Sequence, residues 1–187
     1  MSPLIEKIFD ATNKETYFIA EIGSNFDGDL QRAKYLIALA KEAGANAAKF
    51  QHYSANTLVN DEGFKNLTIQ SHQSDWKDSV HDTYERASLN IDWTEELANE
   101  CQKQGIDFLT SAYSLDLAKA VSNYVPAFKI GSGDISYIEL IKYISSFDKP
   151  VLIATGASLM TDVEQAMNQV GQNNRVVLMQ CNTNYEG

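Results

Sequence analysis

Ala127-Phe128-Lys129-Ile130-Gly131-Ser132-Gly133-Asp134-Ile135 reads as the turning point of one strand-to-helix unit. A short apolar run carries a lysine near its end, a Gly-Ser-Gly turn follows, and a helical pattern begins at once. Backbone N–H groups freed in a glycine turn before a helix form a natural anion site. A lysine on the adjoining strand adds a full positive charge. Taken alone, the stretch is equally a surface lysine before an ordinary turn, so its weight depends on recurrence along the chain.

It does recur. Tyr17–Gly23, Asn46–Gln51, Ile106–Thr110, Pro126–Ile130, Pro150–Ala154 and Arg175–Cys181 read as six strands. Helical patterns follow them. Leu30, Ala33, Leu36, Ile37 and Ala40 share one helix face, and Gly44 stops that helix. Further helices are expected over Trp93–Gln104, Leu115–Tyr124 and Tyr137–Phe147, and from Thr161, with Glu164 completing a capping box. Residues from His52 to about Ile91 show weak periodicity and many polar side chains. So long a connection implies a functional lid or small helices.

Strands that are apolar throughout are buried on both faces, which makes the sheet parallel and the class α/β. Two architectures fit: a doubly wound sheet and a closed (β/α)8 TIM barrel. The dinucleotide fingerprint is absent after the first strand, where Glu21-Ile22-Gly23-Ser24-Asn25 stands. Polar residues end each strand: Glu21, Lys49 and Gln51, Thr110-Ser111, Lys129, Thr155 and Gln180. In a barrel these ends converge on the rim that holds active sites, which favours the barrel. Solvated strand ends explain threonines and glutamines but not Lys49 within Ala47-Ala48-Lys49-Phe50. Alternation places Lys49 and Gln51 on one face. A full barrel needs about 250 residues, so six units in 187 residues are expected to be its N-terminal part: 1–187 belong to one catalytic domain, truncated after about six units. A complete fold with fewer strands is the competing reading.

Composition bounds the partners. The apolar fraction is 44% and the charged fraction 21%, as in ordinary globular domains. The net charge of -10 comes with no basic block, which argues against a nucleic-acid partner. An acidic protein binds an anion only by gathering positive charge locally, so lysines in a pocket carry more meaning here. Cys101 and Cys181 fit no metal or redox spacing and read as reduced thiols, consistent with a cytoplasmic protein. Met1–Glu15 has acidic residues and no apolar core of the length expected of a secretory leader, and no apolar run approaches the ~20 residues of a membrane span. His52 follows the second strand and is a candidate for the rim, whereas His72 and His81 read as solvated loop residues. Trp76, Trp93 and Tyr113 could stack on a sugar, with packing the plainer reading.

The motifs taken in order resemble the sialic acid (N-acetylneuraminate) synthases and their relatives that make other nonulosonic acids. The resemblance is carried by Ile19-Ala20-Glu21-Ile22-Gly23-Ser24-Asn25 with Asp27-Gly28-Asp29, by Ala47-Ala48-Lys49-Phe50-Gln51, and by Tyr84-Glu85. Gly105-Ile106-Asp107-Phe108-Leu109, Lys129-Ile130-Gly131-Ser132-Gly133-Asp134, Thr155-Gly156 and Cys181-Asn182-Thr183-Asn184-Tyr185 complete it. It implies a barrel that condenses phosphoenolpyruvate with the open-chain aldehyde of an N-acetylated hexosamine. Water adds at C2 and phosphate leaves with C–O cleavage. The phosphoenolpyruvate site would comprise Lys49, Lys129, Ser132, Ser111 and the loop after the sixth strand. Gln51 and Tyr185 would contact the sugar. Asn25, Thr110, Thr155, Thr183 and Asn184 complete the substrate-binding set; local chemistry reads Asn25 equally as a turn residue. Glu21, Lys49 and Asp134 would be catalytic, without a division of roles between the two carboxylates.

Four positions depart from the family pattern. Asp134 replaces a glutamate, Ala154 a serine, Gln180 a histidine, and Thr183 a serine or asparagine. The resemblance also implies a divalent metal (Mn or Mg) with ligands beyond residue 187, a homodimer, and a small C-terminal domain. A Schiff-base aldolase using Lys49 or Lys129, and a non-catalytic fragment that binds sugar or anion, are the alternatives.

Overall fold

A computed structural model of the protein describes residues 2–66, 76–171 and 175–183. Six parallel strands form one sheet in the order β1-β2-β3-β4-β5-β6. They are β1 (Ile19–Gly23), β2 (Ala47–His52), β3 (Asp107–Ala112), β4 (Phe128–Ile130), β5 (Val151–Ala154) and β6 (Val176–Met179). Each strand pairs with the next in sequence, so the order never reverses. Right-handed crossovers between successive neighbours put the helices that connect the strands on the same face. That is the winding of a (β/α) barrel, whereas a doubly wound sheet needs a reversal point.

The helices are α1 (Pro3–Glu6), α2 (Leu30–Glu42), α3 (Ala55–Leu58), α4 (Asp61–Lys65), α5 (Val80–Ala87), α6 (Thr94–Gln104), α7 (Leu115–Val121), α8 (Ile138–Ser145) and α9 (Met160–Gln169). Asp29 caps α2 by accepting from the N–H groups of Gln31 and Arg32. Gly105 ends α6 at φ 69°, a left-handed position that favours glycine. The cap of α9 differs from the one expected at Thr161 and Glu164. Thr161 lies inside the helix, and the Asp162 carboxylate accepts from the Leu159 N–H at 2.8 Å.

Strand alternation divides the core in two. Ala48, Phe50, Phe108, Phe128, Ile130 and Ile153 face the helices and pack on Ile37, Leu97, Leu140, Ile141 and Ile144. Ala47, Leu109, Ala127 and Leu152 face the other way, onto Ile5 of α1. This inner layer is small and capped from the strands' N-terminal end. Asp107, at that end of β3, accepts the Tyr17 hydroxyl at 2.7 Å, and burial raises its pKa. The floor is thereby closed, and the open mouth lies at the strands' C-terminal ends.

The long connection between β2 and α6 carries α3, α4 and α5. Side-chain caps hold α4 and α5: Asn60 accepts from Gly63 N–H, and Ser79 from Asp82 N–H. Among the described residues no helix is long and apolar enough to cross a membrane. Cys101 and Cys181 are free thiols.

Candidate active site

Lys49, Lys129, Glu21 and Asp134 line one cavity of about 1270 Å³ at the C-terminal ends of the strands. Gln51, Ser111, Ser132, Gly156 and Thr183 line it as well. Side-chain parity explains which residues arrive. Lys49 and Gln51 alternate with the helix-facing Phe50, and Ser111 with the helix-facing Phe108 and Ala112.

The Lys49 ammonium donates to Glu21, 2.8 Å from Oε2 and 3.0 Å from Oε1. Burial lowers the pKa of Lys129, and the charge of Lys49 lowers it further; Cys181, Glu21 and Asp134 oppose the shift. Two cations thus share one depression, close enough to repel. A site of this kind takes up an anion readily, because the anion relieves that repulsion.

The turn after β4 supplies the rest. Ser132–Asp134 form one turn of 3-10 helix. The Asp134 carboxylate folds back to accept from the Gly131 N–H, and a Cβ on Gly131 would lie 2.6 Å from Asp134 Oδ2. Burial raises the Asp134 pKa, with Lys129 and the Gly131 N–H pulling the other way. The Ser132 hydroxyl accepts from the Gly156 N–H at 3.1 Å, tying the β4 turn to the β5 turn. A Cβ at Gly156 would meet Thr183 Cγ2 at 2.6 Å, Ser132 Oγ at 2.9 Å and Cys181 O at 3.0 Å. Three strand-end loops meet at that glycine, and only a residue without a side chain lets them close.

Three expected residues stand away from the cavity. Thr110 is fully buried on the helix side, where its hydroxyl contacts His52 Nδ1 at 2.8 Å. Thr155 is turned to β6 and donates to the Met179 carbonyl. Asn25 is exposed and bonds its own turn, donating to the Ile22 carbonyl. Asn184 and Tyr185 lie outside the described residues, as does His72. His52 is also not at the rim. Its Nε2 contacts Thr94 Oγ1 at 2.9 Å, it is 1% exposed, and burial pushes its pKa down to about 4. His81 is held by Asn56 Oδ1 at 2.9 Å, so it is not a purely solvated residue. Trp93 packs edge-on against Phe26.

The sequence reading offered Tyr113 for stacking on a sugar but missed the wall to which it belongs. Tyr53 stacks edge-on with Tyr84 at 5.5 Å and with Tyr113 at 6.0 Å, and all three line the cavity. Val59, Phe64 and Val80 continue that side. The tyrosines come from three separate segments, so no local pattern marks them; only tyrosines following the ends of β2 and β3 hint at it. Among the described residues no three His, Cys, Asp or Glu side chains could hold a metal ion. They do not fit the metal that the resemblance implies, and no step below runs through one.

Comparison with known proteins agrees with this architecture. The NeuB family pattern matches residues 36–186. The N,N'-diacetyllegionaminic acid synthase of Campylobacter jejuni is 29% identical over 177 residues, covering 92% of this chain and 53% of that protein. The N-acetylneuraminate-9-phosphate synthase of Drosophila melanogaster is 32% identical over 175 residues, covering 90% and 46%. The crystal structure of a sialic acid synthetase from Leptospira borgpetersenii, in complex with citrate, superposes with a TM-score of 0.76 at 24% identity, covering 91% of this chain and 55% of that one. The chain thus spans about half the length of these relatives. The family pattern runs through the strand ends that carry Lys49, Lys129 and Asp134, and the chain belongs to the NeuB family.

Proposed function

We propose that the protein condenses phosphoenolpyruvate with the aldehyde of an N-acetylated hexosamine, giving a sialic or related nonulosonic acid and phosphate. The observation that carries this reading is the shared position of Lys49 and Lys129 in one cavity beside a glycine turn. The substrate bears a phosphate and a carboxylate, and two ammonium groups with backbone N–H donors can hold both. C3 of phosphoenolpyruvate bonds to the aldehyde carbon, whose oxygen takes a proton. Water adds at C2 and loses a proton, and the C2–O bond to phosphate breaks, leaving the keto group. Asp134, whose raised pKa favours its protonated form, suits the donor role. Glu21, ion-paired with Lys49, suits the acceptor role. Ser111, Ser132 and Thr183 supply hydroxyls, and Gln51 an amide, along the same wall.

The same reading includes a cytoplasmic homodimer, residues 1–187 as the N-terminal part of one (β/α)8 barrel, and a divalent metal held by further residues. The exposure of Leu178 on the edge strand β6 and the half-length matches to the relatives support the barrel part. The relatives' names do not favour a Schiff-base aldolase.

Calorimetry with phosphoenolpyruvate tests the reading on the intact protein. Lys129→Ala is expected to abolish binding, because the anion site loses one of two cations; unchanged affinity defeats the proposal. Borohydride with pyruvate is expected to leave both lysines unmodified. A covalent adduct on Lys49 or Lys129 would replace the synthase with an aldolase.

A further inference from the structure

A buried imidazole lies behind the charged end of the cavity. His52 is 1% exposed, and both its ring nitrogens meet hydroxyls: Thr110 Oγ1 lies 2.8 Å from Nδ1, and Thr94 Oγ1 2.9 Å from Nε2. The hydrogens available fix its tautomer. Thr94 Oγ1 sits 2.6 Å from the Ile91 carbonyl, which can only accept, so the single Thr94 hydroxyl hydrogen points there. Thr94 Oγ1 therefore accepts from His52, and Nε2 carries the ring hydrogen. Burial keeps the ring neutral, with its pKa pushed down to about 4. Nδ1 is then bare and accepts from the Thr110 hydroxyl. That hydroxyl has a second acceptor in reach, the Ser111 carbonyl at 3.3 Å. The shorter bond, to a nitrogen whose tautomer is set from the far side of the ring, keeps it on His52.

We propose that His52 is a positioning residue: by accepting the Thr110 hydroxyl it fixes the end of β3 and aims the Ser111 hydroxyl at the anion held by Lys49 and Lys129. The inference rests on the reading of the cavity as a phosphoenolpyruvate site, and His52 itself touches no ligand. Ser111 follows Thr110 and lines the cavity, because neighbours in a strand face opposite ways. The register of β3 with β2 runs on through Gln51–Ser111 and His52–Ala112, whereas its register with β4 is at Thr110–Phe128. Past Thr110 the end of β3 is thus anchored on the β2 side, and His52 belongs to that anchor. Without an acceptor at Nδ1, the Thr110 hydroxyl turns to the Ser111 carbonyl. It then pulls on the residue whose side chain has to stay aimed.

Two substitutions divide the imidazole. His52→Asn keeps an oxygen where Nδ1 stood and drops the bond to Thr94. His52→Gln keeps a donor toward Thr94 and drops the acceptor for Thr110. Calorimetry with phosphoenolpyruvate on the intact protein, beside urea unfolding, reads the result. Both variants are expected to lose stability, but only His52→Gln to weaken binding, by about threefold to tenfold. Thr110→Val should match His52→Gln in affinity, and Thr110→Ser should restore it. In a Ser111→Ala background Thr110→Val should weaken binding no further, because the hydroxyl it would misplace is gone. Equal affinity losses in His52→Asn and His52→Gln, or an added loss in the Ser111→Ala background, would mean a generally loosened mouth and overturn the inference. Unchanged affinity in Thr110→Val overturns it too. If the His52 variants do not fold, the nitrogen-15 resonances of the wild-type imidazole decide: a hydrogen on Nε2 at neutral pH is expected, and one on Nδ1 overturns the inference. Wild-type protein that does not bind phosphoenolpyruvate removes the proposed reaction and this inference together, whereas binding that ignores these variants removes the inference alone.

Discussion

Glu21 and Lys49 face each other across β1 and β2 at paired register positions, with the ammonium 2.8 Å from the nearer carboxylate oxygen. Their surroundings are unequal. The Lys49 side chain is 7% exposed and that of Glu21 51%. Removing the carboxylate leaves a buried ammonium without its counter-charge and beside Lys129. Removing the ammonium leaves a carboxylate that water already reaches.

Glu21→Gln is therefore expected to destabilise the protein more than Lys49→Met does. The first should cost about 1–3 kcal/mol, and the second close to nothing, since methionine fills the same volume. Urea unfolding of both variants without ligand measures the order. Equal losses would mean that the pair acts as an ordinary surface bridge. Added phosphate should restore part of the loss in Glu21→Gln, because an anion replaces the missing charge.

The lowered pKa of Lys129 has two consequences of opposite sign. Burial and the Lys49 charge hold it below the ordinary value of 10.5. Affinity for phosphoenolpyruvate requires the ammonium, so it should be level near neutrality and fall as pH rises through the shifted value. The fall should begin below pH 10.5 and approach about tenfold per pH unit. Over that same window the unfolded chain binds the proton that the folded one has lost, so ligand-free stability rises with pH. Calorimetry across alkaline pH tests the first effect. A flat affinity up to 10.5 would place Lys129 in water. Lys129→Arg, if it binds, should lose the alkaline fall.

Much of this was legible in the sequence because a parallel sheet imposes a simple rule. Continuous apolar runs, one per unit, located all six strands, and alternation put Lys49 and Gln51 together. The same rule, carried to β3, separates Thr110 from Ser111, since neighbours in a strand face opposite ways. Grouping both as a polar strand end put a helix-side threonine in the expected site. His52 follows Gln51 and turns away for the same reason. The segment from Ala55 to Ala87 gave only a weak periodic signal, because its described helices are short, four to eight residues each. The tyrosine wall depends on tertiary folding of that segment, which no local pattern encodes.

Gly156→Ala should destabilise the mouth even though an alanine there is small. Its Cβ would fall 2.6 Å from Thr183 Cγ2, 2.9 Å from Ser132 Oγ and 3.0 Å from the Cys181 carbonyl. The first two atoms are side-chain ends and can move, whereas the carbonyl is backbone. A cost of about 1–3 kcal/mol is expected, together with a weaker site, because the Ser132 bond to the Gly156 N–H lengthens. Thr183→Ser, by removing the closest methyl, should recover part of the stability and not all. Full recovery would show that the Cys181 carbonyl yields. Thermal unfolding of the single and double variants separates these outcomes.

His52 should set part of the protein's acid sensitivity from a position that touches no substrate. Its two ring nitrogens contact the hydroxyls of Thr110 and Thr94, joining β2, β3 and the start of α6. Burial holds its pKa at about 4, against 6.5 for an exposed histidine. Between those values the unfolded chain takes up a proton that the folded one refuses. The contribution to stability is therefore complete above pH 6.5 and is lost progressively down to pH 4, amounting to about 3 kcal/mol. Asp107 and Asp134 act in the reverse direction, because burial raises their pKa values and protonation then favours the folded form. The wild-type acid curve mixes these effects, so the difference from a variant is what isolates the histidine. His52→Gln keeps a partner for one threonine and does not titrate. It should be less stable than wild type at pH 7, with the gap closing by about 3 kcal/mol as pH falls to 4. A gap that stays constant across that range would mean that the folded protein accepts the charge, and the buried, neutral bridge between β2 and α6 would have to be abandoned.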